Sequence, residues 1–338
     1  MPQPRTLTAV ATCLKNEGQF LLEWVAHHRG AGFDKVFLIT NDCTDGTDAM
    51  ADRLQQLGEA IHLHNRITPG EAPQVAGIRQ LLAHPRLLDV AWLLHCDADE
   101  FLNVTAGGGK VGDLLAVVGT DCDAIAIQWR VFGSDGVKDY VPCLVTERYV
   151  TRSARATPNQ RWHKTLFRPE KFRAGRDHMP KDPVTRDIRL CNTAGLAMSP
   201  LSLFKLRHSR YADCDDAWTW DTACLHHYAT RAEDLFLMKN VRGDGMGALT
   251  SKYFLDRWAW RAWNTAGVRD TSMHRHLPAT QERLTAYRTD PVLAALDARA
   301  QDWFRTMKAT HLTPENRARW TGNPLTQTGP HDAADLTD

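Results

Sequence analysis

Apolar runs alternate with amphipathic stretches over the first hundred positions. "LTAVATCL" at 7–14 is continuous and Thr-rich, which predicts a buried strand. "NEGQFLLEWVAHHRGAG" follows, with Phe20, Leu21, Trp24, Val25 and His28 at helical spacing and glycines closing the end. The alternation repeats. "KVFLIT" (35–40) reads as a strand, "DGTDAMADRLQQLG" as a helix and "AIHLHNRI" (60–67) as a strand. "PGEAPQVAGIRQLLAH" then reads as a helix and "VAWLLHCD" (90–97) as a fourth strand. Short connections between alternating elements imply a parallel α/β sheet with right-handed crossovers. Ligands bind such sheets beyond the carboxyl ends of the strands. Three polar clusters fall there: "KNE" (15–17), "NDCTDGT" (41–47) and "DADE" (97–100).

Beyond residue 105 the texture changes. "GGG" (107–109) marks a loop, "GDLLAVVG" a short helix and "DAIAIQWRVFG" (123–133) a strand. "LVTERYV" and "HKTLFRP" predict further strands in a mixed or antiparallel extension, and 174–222 predicts loops and short pieces. From "CLHHYATRAEDLFLMKNVRG" onward the pattern is helical, including "YFLDRWAWRAWNTAG" and the stretch from "ERLTAYRTDP" to "FRTMKATH". The expected organisation is a catalytic-type unit over 1–245, a helical C-terminal extension over 246–325 packed on it, and a flexible tail over 326–338.

Composition narrows the function. The 338 residues carry 41 basic and 40 acidic side chains, a net +1, which argues against binding nucleic acid by phosphate neutralisation. The eight cysteines form no CxxC pair, so neither a zinc site nor a disulfide framework is indicated. The opening "MPQPRTLTAV" does not read as a signal peptide, and no apolar run approaches the ~20 residues that span a bilayer. A cytoplasmic setting is the default expectation, with peripheral membrane association left open.

The chemistry concentrates in "DADE". Asp97 and Asp99 stand just past a strand end, where both carboxylates can turn toward one point and suit a hard cation such as Mg2+ or Mn2+. A solvated acidic loop is the plainer alternative. Asn41 and Asp42 tip the second strand, placed to meet a base or ribose hydroxyl, although turn and cap roles explain the same residues. Asn16 and Glu17 follow the first strand without a GxGxxG or P-loop pattern, so phosphates must be met by metal and side chains. His226 and His227 precede a helical stretch; Lys239, Arg242 and Lys252 lie downstream, able to face a diphosphate or only solvent. The helical spacing of Trp258, Trp260 and Trp263 favours core, whereas Trp218 and Trp220 suit the lip of an acceptor site.

Three blocks in order, "CLKNEGQFLLEWVAHHRGAGFDKVFLITNDCTDGT", "LLHCDADEFL" and "HHYATRAEDLFLMKNVRG", resemble bacterial family-2-like glycosyltransferases related to the family 92 group, over about 7–245. The resemblance implies a GT-A fold, a Rossmann-like α/β sandwich, with Mn2+ or Mg2+ and a nucleotide-diphospho-sugar donor. On it Asp97 and Asp99 match the metal-binding DxD, Glu100 follows as in "DxDEF", and Asp42 matches the base-contacting Asp, with Asn41 in place of the first. His227 matches the "HY" histidine as a third metal ligand. Inverting transfer to a saccharide or other hydroxyl acceptor is implied. A carboxylate base is needed, and Asp135 in "FGSDG", Asp177 and Asp216 are its candidates, with Asp99 and Glu100 closest to the chemistry. The competing readings are a sugar-phosphate nucleotidyltransferase, disfavoured by the single glycine in "CLKNEGQF", and a non-catalytic carbohydrate-binding protein, disfavoured by the intact DxD. A phosphohydrolase lacks its DxDxT motif.

Overall fold

The computed structural model describes residues 6–211, 216–243 and 251–322. Its strands are β1 (Thr8–Leu14), β2 (Lys35–Thr40), β3 (Ile61–His64), β4 (Trp92–His95), β5 (Glu100–Val104), β6 (Ala124–Val131), β7 (Thr151–Arg152), β8 (His163–Phe167), β9 (Phe172–Gly175), β10 (Pro180–Pro183), β11 (Leu190–Asn192), β12 (Ala197–Met198), β13 (Ala223–His227) and β14 (Val268–Arg269). Its helices are α1 (Gly18–Gly30), α2 (Thr47–Gln56), α3 (Pro73–Leu82), α4 (Val111–Val118), α5 (Val145–Arg148), α6 (Glu233–Arg242), α7 (Trp258–Trp263), α8 (Leu277–Thr289), α9 (Pro291–His311) and α10 (Pro314–Trp320).

The main sheet runs β12-β11-β6-β8-β4-β1-β2-β3, with β13 beside β6 and β5 beside β13. The block β4-β1-β2-β3 is parallel throughout, as the alternation predicts. β8 is inserted antiparallel between β4 and β6. Period-two alternation decides the layers. Val10, Leu38, Leu94, Ile125 and Ile127 face a core shared with α1, α2, α8 and α9. Ala9, Ala11, Phe37, Ile39, Leu93 and Phe167 face a second core with Leu81 of α3 and Phe172 of β9. α8 packs on α1, while α9 packs on α1, α2 and α6, so the C-terminal helices cover one face of the sheet. No described helix is long and apolar enough to cross a membrane.

Four expectations about local structure are corrected. "LVTERYV" contains the helical turn Val145–Arg148 rather than a strand. The buried Glu23 carboxylate accepts the N–H groups of Val145 (2.8 Å) and Thr146 (2.9 Å), so α1 supplies the cap that overrides β propensity. "CLHH" is strand β13, not the start of a helix, because it is zipped between β5 and β6. Only Trp258–Trp263 of "YFLDRWAWRAWNTAG" is α-helical. The long C-terminal pattern breaks at Asp290-Pro291, where Asp290 caps α9 through Val292 and Leu293 N–H. Cys122 and Cys191 are disulfide-bonded between the start of β6 and β11. The tail 326–338 lies outside the described residues.

Candidate active site

The carboxyl ends of β1 to β4 are tied together by side chains. Asn16 Oδ1 accepts from Thr44 N–H (2.8 Å), and Asn65 Nδ2 donates to Asn41 Oδ1 (3.3 Å) and to Pro73 O (2.8 Å). Gln74 then donates to Asp97 Oδ1 at 2.9 Å. Asn16 (φ 55°) and Asp42 (φ 50°) adopt left-handed backbone, which short polar side chains tolerate best. The expected crevice residues Asn16, Asn41, Asp42 and Asp97 therefore rim one edge, with Asp42 exposed.

The acids leave β4 in a tight turn. Glu100 N–H bonds Asp97 O (3.0 Å), and Glu100 Oε2 accepts from Asp97 N–H (2.8 Å). Trp24 Nε1 donates to Glu100 O at 3.0 Å and fixes the turn against α1. Register then brings the third block over. β13 pairs His227 with Glu100 of β5 and with Val131 of β6, and Tyr228 N–H bonds Asp99 O at 2.9 Å.

Each aspartate has its own lysine. Lys164 Nζ, fully buried on β8, lies 3.0 Å from Asp97 Oδ2, 3.8 Å from Glu100 Oε2 and 2.7 Å from the main-chain carbonyl of Asp177. Lys239 Nζ on α6 lies 3.0 Å from Asp99 Oδ2, whose other oxygen is 3.5 Å from His227 Nε2. Burial pushes Asp99 up, but Lys239, His227 and Arg231 together outweigh it and leave the carboxyl well below its usual range. Asp97 is lowered in the same manner, with Lys164 opposing burial. Glu100 moves the other way: burial, reinforced by Asp97, lifts it well above the normal carboxylate range despite Lys164. Glu100 is 0% exposed, so the expected catalytic contact is corrected to a positioning role: it has no surface to offer a substrate.

Glu17 is likewise taken up internally, paired with Arg242 and lying 3.7 Å from Arg231. These groups, with Lys15 and Lys239, line a cavity of about 160 Å³ whose apolar wall is Phe20, Trp303 and Phe304. Arg231 Nη2 donates to Ala98 O at 3.3 Å from a left-handed backbone (φ 45°). Asp135 stands elsewhere, in a cavity of about 710 Å³ with Glu147, Arg148 and Arg269. Both its oxygens accept main-chain N–H bonds, from Val150 (2.9 Å) and Thr151 (3.1 Å), which fits a loop anchor better than a base. Asp177 has a quarter-exposed carboxylate 3.4 Å from His178 Nε2. Trp220 is packed rather than free: its Nε1 donates to Trp129 O at 2.8 Å, with Arg130 and Arg152 against its ring.

Lys164 and Arg231 are the site residues that sequence reading passed over. "HKTLF" showed only strand periodicity, and nothing near Arg231 signals its contact with the acidic turn.

Of the three expected ligands, Asp99 and His227 stand at the spacing of two ligands on one divalent cation, while Asp97, held by Gln74 and Lys164, is not brought into one ligand group with them. Two ligands about 2.1 Å from one ion at right-angled to tetrahedral geometry lie roughly 3.0–3.5 Å apart. The Nδ1 of His227 is buried without a hydrogen-bond partner, and the ring packs 4.0 Å from Trp129.

The profile of Glycosyltransferase family 92 matches residues 8–226. The chain belongs to that family. A family 92 protein of Ricinus communis is 26% identical over 163 residues, 48% of this chain and 28% of its own length. One of Arabidopsis thaliana is 25% identical over 177 residues, again 48% and 28%. The chain thus spans about a third of the length of the curated relatives it matches. Among solved structures, Staphylococcus aureus TarS 1–349 gives a TM-score of 0.36 at 11% identity, covering 91% of each chain. The mannosyltransferase PcManGT of Pyrobaculum calidifontis, in complex with GDP-Man and Mn2+, gives 0.31 at 13%, covering 94% of this chain and 84% of that one. The family 92 match covers the crevice and the acidic turn and stops one residue before His227.

Proposed function

We propose that this family 92 chain is a metal-dependent, inverting glycosyltransferase that moves a sugar from a nucleotide-diphospho-sugar to an acceptor hydroxyl. The observation that carries the reading is the Asp99–His227 pair facing Lys239 at the carboxyl edge of the sheet. Asp99 and His227 would hold Mn2+ or Mg2+, with Asp97 presenting its partly exposed carboxylate to the same donor. When bound, the ion supplies positive charge against the departing diphosphate.

The chain's own groups supply the rest. In the adjoining cavity Lys15, Arg231, Lys239 and Arg242 outnumber the acids Glu17 and Asp45, an excess of positive charge that suits a diphosphate. Asp42 and Asn41 would meet the base or ribose. We assign the base to Asp177 rather than to Asp135. Its carboxylate is 25% exposed, and its main chain holds the lysine that holds Asp97. Asp177 would take the proton of the acceptor hydroxyl as that oxygen attacks the anomeric carbon from the face opposite the diphosphate.

A thermal-shift panel of nucleoside diphosphates with and without Mn2+ tests this. One nucleotide should raise the melting temperature only when metal is present. Absence of any metal-dependent shift across the panel would sink the reading.

A further inference from the structure

A second group of metal-ligating side chains lies away from the crevice, on the far edge of the sheet. β3 is the edge strand, and His62 and His64 occupy alternate positions on it, so both imidazoles project from the same face. Asp52 of α2 meets them there. Its Oδ1 is 2.7 Å from His62 Nδ1 and 3.9 Å from His64 Nε2, and the two rings lie 4.2 Å apart. Among the described residues these are the ones that bring three such donor atoms within 4.8 Å of one another.

We propose that Asp52, His62 and His64 form a site for a borderline transition-metal ion of the Zn2+ class, separate from the donor site. Two imidazoles and a carboxylate match the donor preferences of zinc and leave a fourth position open to water. The buried His62 ring is already held in place. His62 Nε2 lies 2.7 Å from Thr40 Oγ1, and its main-chain N–H is held by Gln55 Oε1 at 2.9 Å, which fixes the buried ring. Without an ion His62 Nδ1–H donates to Asp52 Oδ1 (2.7 Å); an ion bound there would displace that proton, with Nε2–H then donating to Thr40 Oγ1. Tetrahedral zinc places its ligands roughly 3.3 Å apart. His64 therefore has to approach Asp52 by about 0.6 Å and Asp52 Oδ1 has to withdraw from His62 by about as much, which side chains 70% and 48% exposed allow. The site joins α2 to an otherwise open edge strand. It also touches Thr40, the last residue of β2 and the one before Asn41 and Asp42.

The test uses untagged protein in which Asp99→Asn and His227→Ala have removed the donor-site ligands. Zn2+ titration by calorimetry, with the visible spectrum of bound Co2+ as a geometry readout, should show one ion per chain and a tetrahedral cobalt spectrum. His64→Ala and Asp52→Asn, both at exposed positions, should each weaken binding by at least about tenfold. Thr40→Val should weaken it about tenfold while leaving the fold intact. Absence of Zn2+ binding in the Asp99→Asn/His227→Ala protein, or affinity unchanged by both exposed substitutions, would overturn the assignment. The Asp52–His62–Thr40 chain would then be a hydrogen-bond relay alone.

Discussion

Asp97 and Asp99 are two residues apart yet belong to different parts of the molecule. Asp97 looks toward the middle of the chain. Lys164 of the antiparallel strand β8 and Gln74 of α3 occupy its two oxygens. Asp99 looks toward the third block, with His227 ending β13 and Lys239 on α6. In the first set Lys164 is fully buried, bonds the Asp177 carbonyl and lies 3.8 Å from Glu100, while the Asp97 carboxylate itself stays 39% exposed. The second includes an imidazole with one unpartnered nitrogen and borders a cationic cavity. Asp97 is held by donors from α3 and β8, and Asp99 by an imidazole and a lysine from the third block.

The largest expected break falls on the Asp97 half. Lys164→Met removes the cation facing Asp97 and leaves buried acceptors without a donor, so urea unfolding should show a loss of about 3 kcal/mol or more. A loss under about 1 kcal/mol would mean that the Lys164 cluster holds little together. Next is the assignment of the base. Asp177→Asn should lower transfer, measured with the donor that the nucleotide panel selects, by about 10²-fold or more at unchanged stability. Asp135→Asn should leave transfer nearly intact and act through its loop. The reverse ranking would return the base to Asp135.

The smallest effect separates the acids by pH. Asp99 is lowered in the folded state, so its contribution is complete above the ordinary carboxylate range and is lost as pH falls below about 4. Glu100 is raised, so its contribution is complete below its ordinary value and is lost as pH rises through the elevated one. Glu100→Gln keeps an acceptor for Asp97 N–H and removes that loss. Its melting temperature at pH 7.5 should equal or exceed wild type, with the change within about 1 kcal/mol. A marked drop would show that the buried carboxylate is needed in its charged form.

The same contrast governs what was legible in the sequence. The strands β1 to β4 and the acids beyond them follow from local patterning, because parallel strands buried on both faces read as apolar runs and their ends read as polar clusters. The partners of those acids come from distant segments whose local texture says nothing about charge pairing. Lys164 lies in a strand of ordinary periodicity, and its role appears only once β8 is inserted antiparallel beside β4. Val145–Arg148 reads as β because its cap, Glu23, lies 122 residues earlier. The resemblance implies a metal role for His227, and the register of β13 against β5 sets it beside Asp99. By contrast, Glu100 looked catalytic by adjacency, and burial removes it.

The division between the two aspartates is tested most directly by calorimetric titration of the selected nucleoside diphosphate, with and without Mn2+, into wild type, Asp97→Asn and Asp99→Asn. The account predicts that Asp99→Asn abolishes the metal-dependent part of the affinity, while Asp97→Asn weakens binding yet keeps its dependence on Mn2+. Metal dependence that survives in Asp99→Asn and disappears in Asp97→Asn would contradict it.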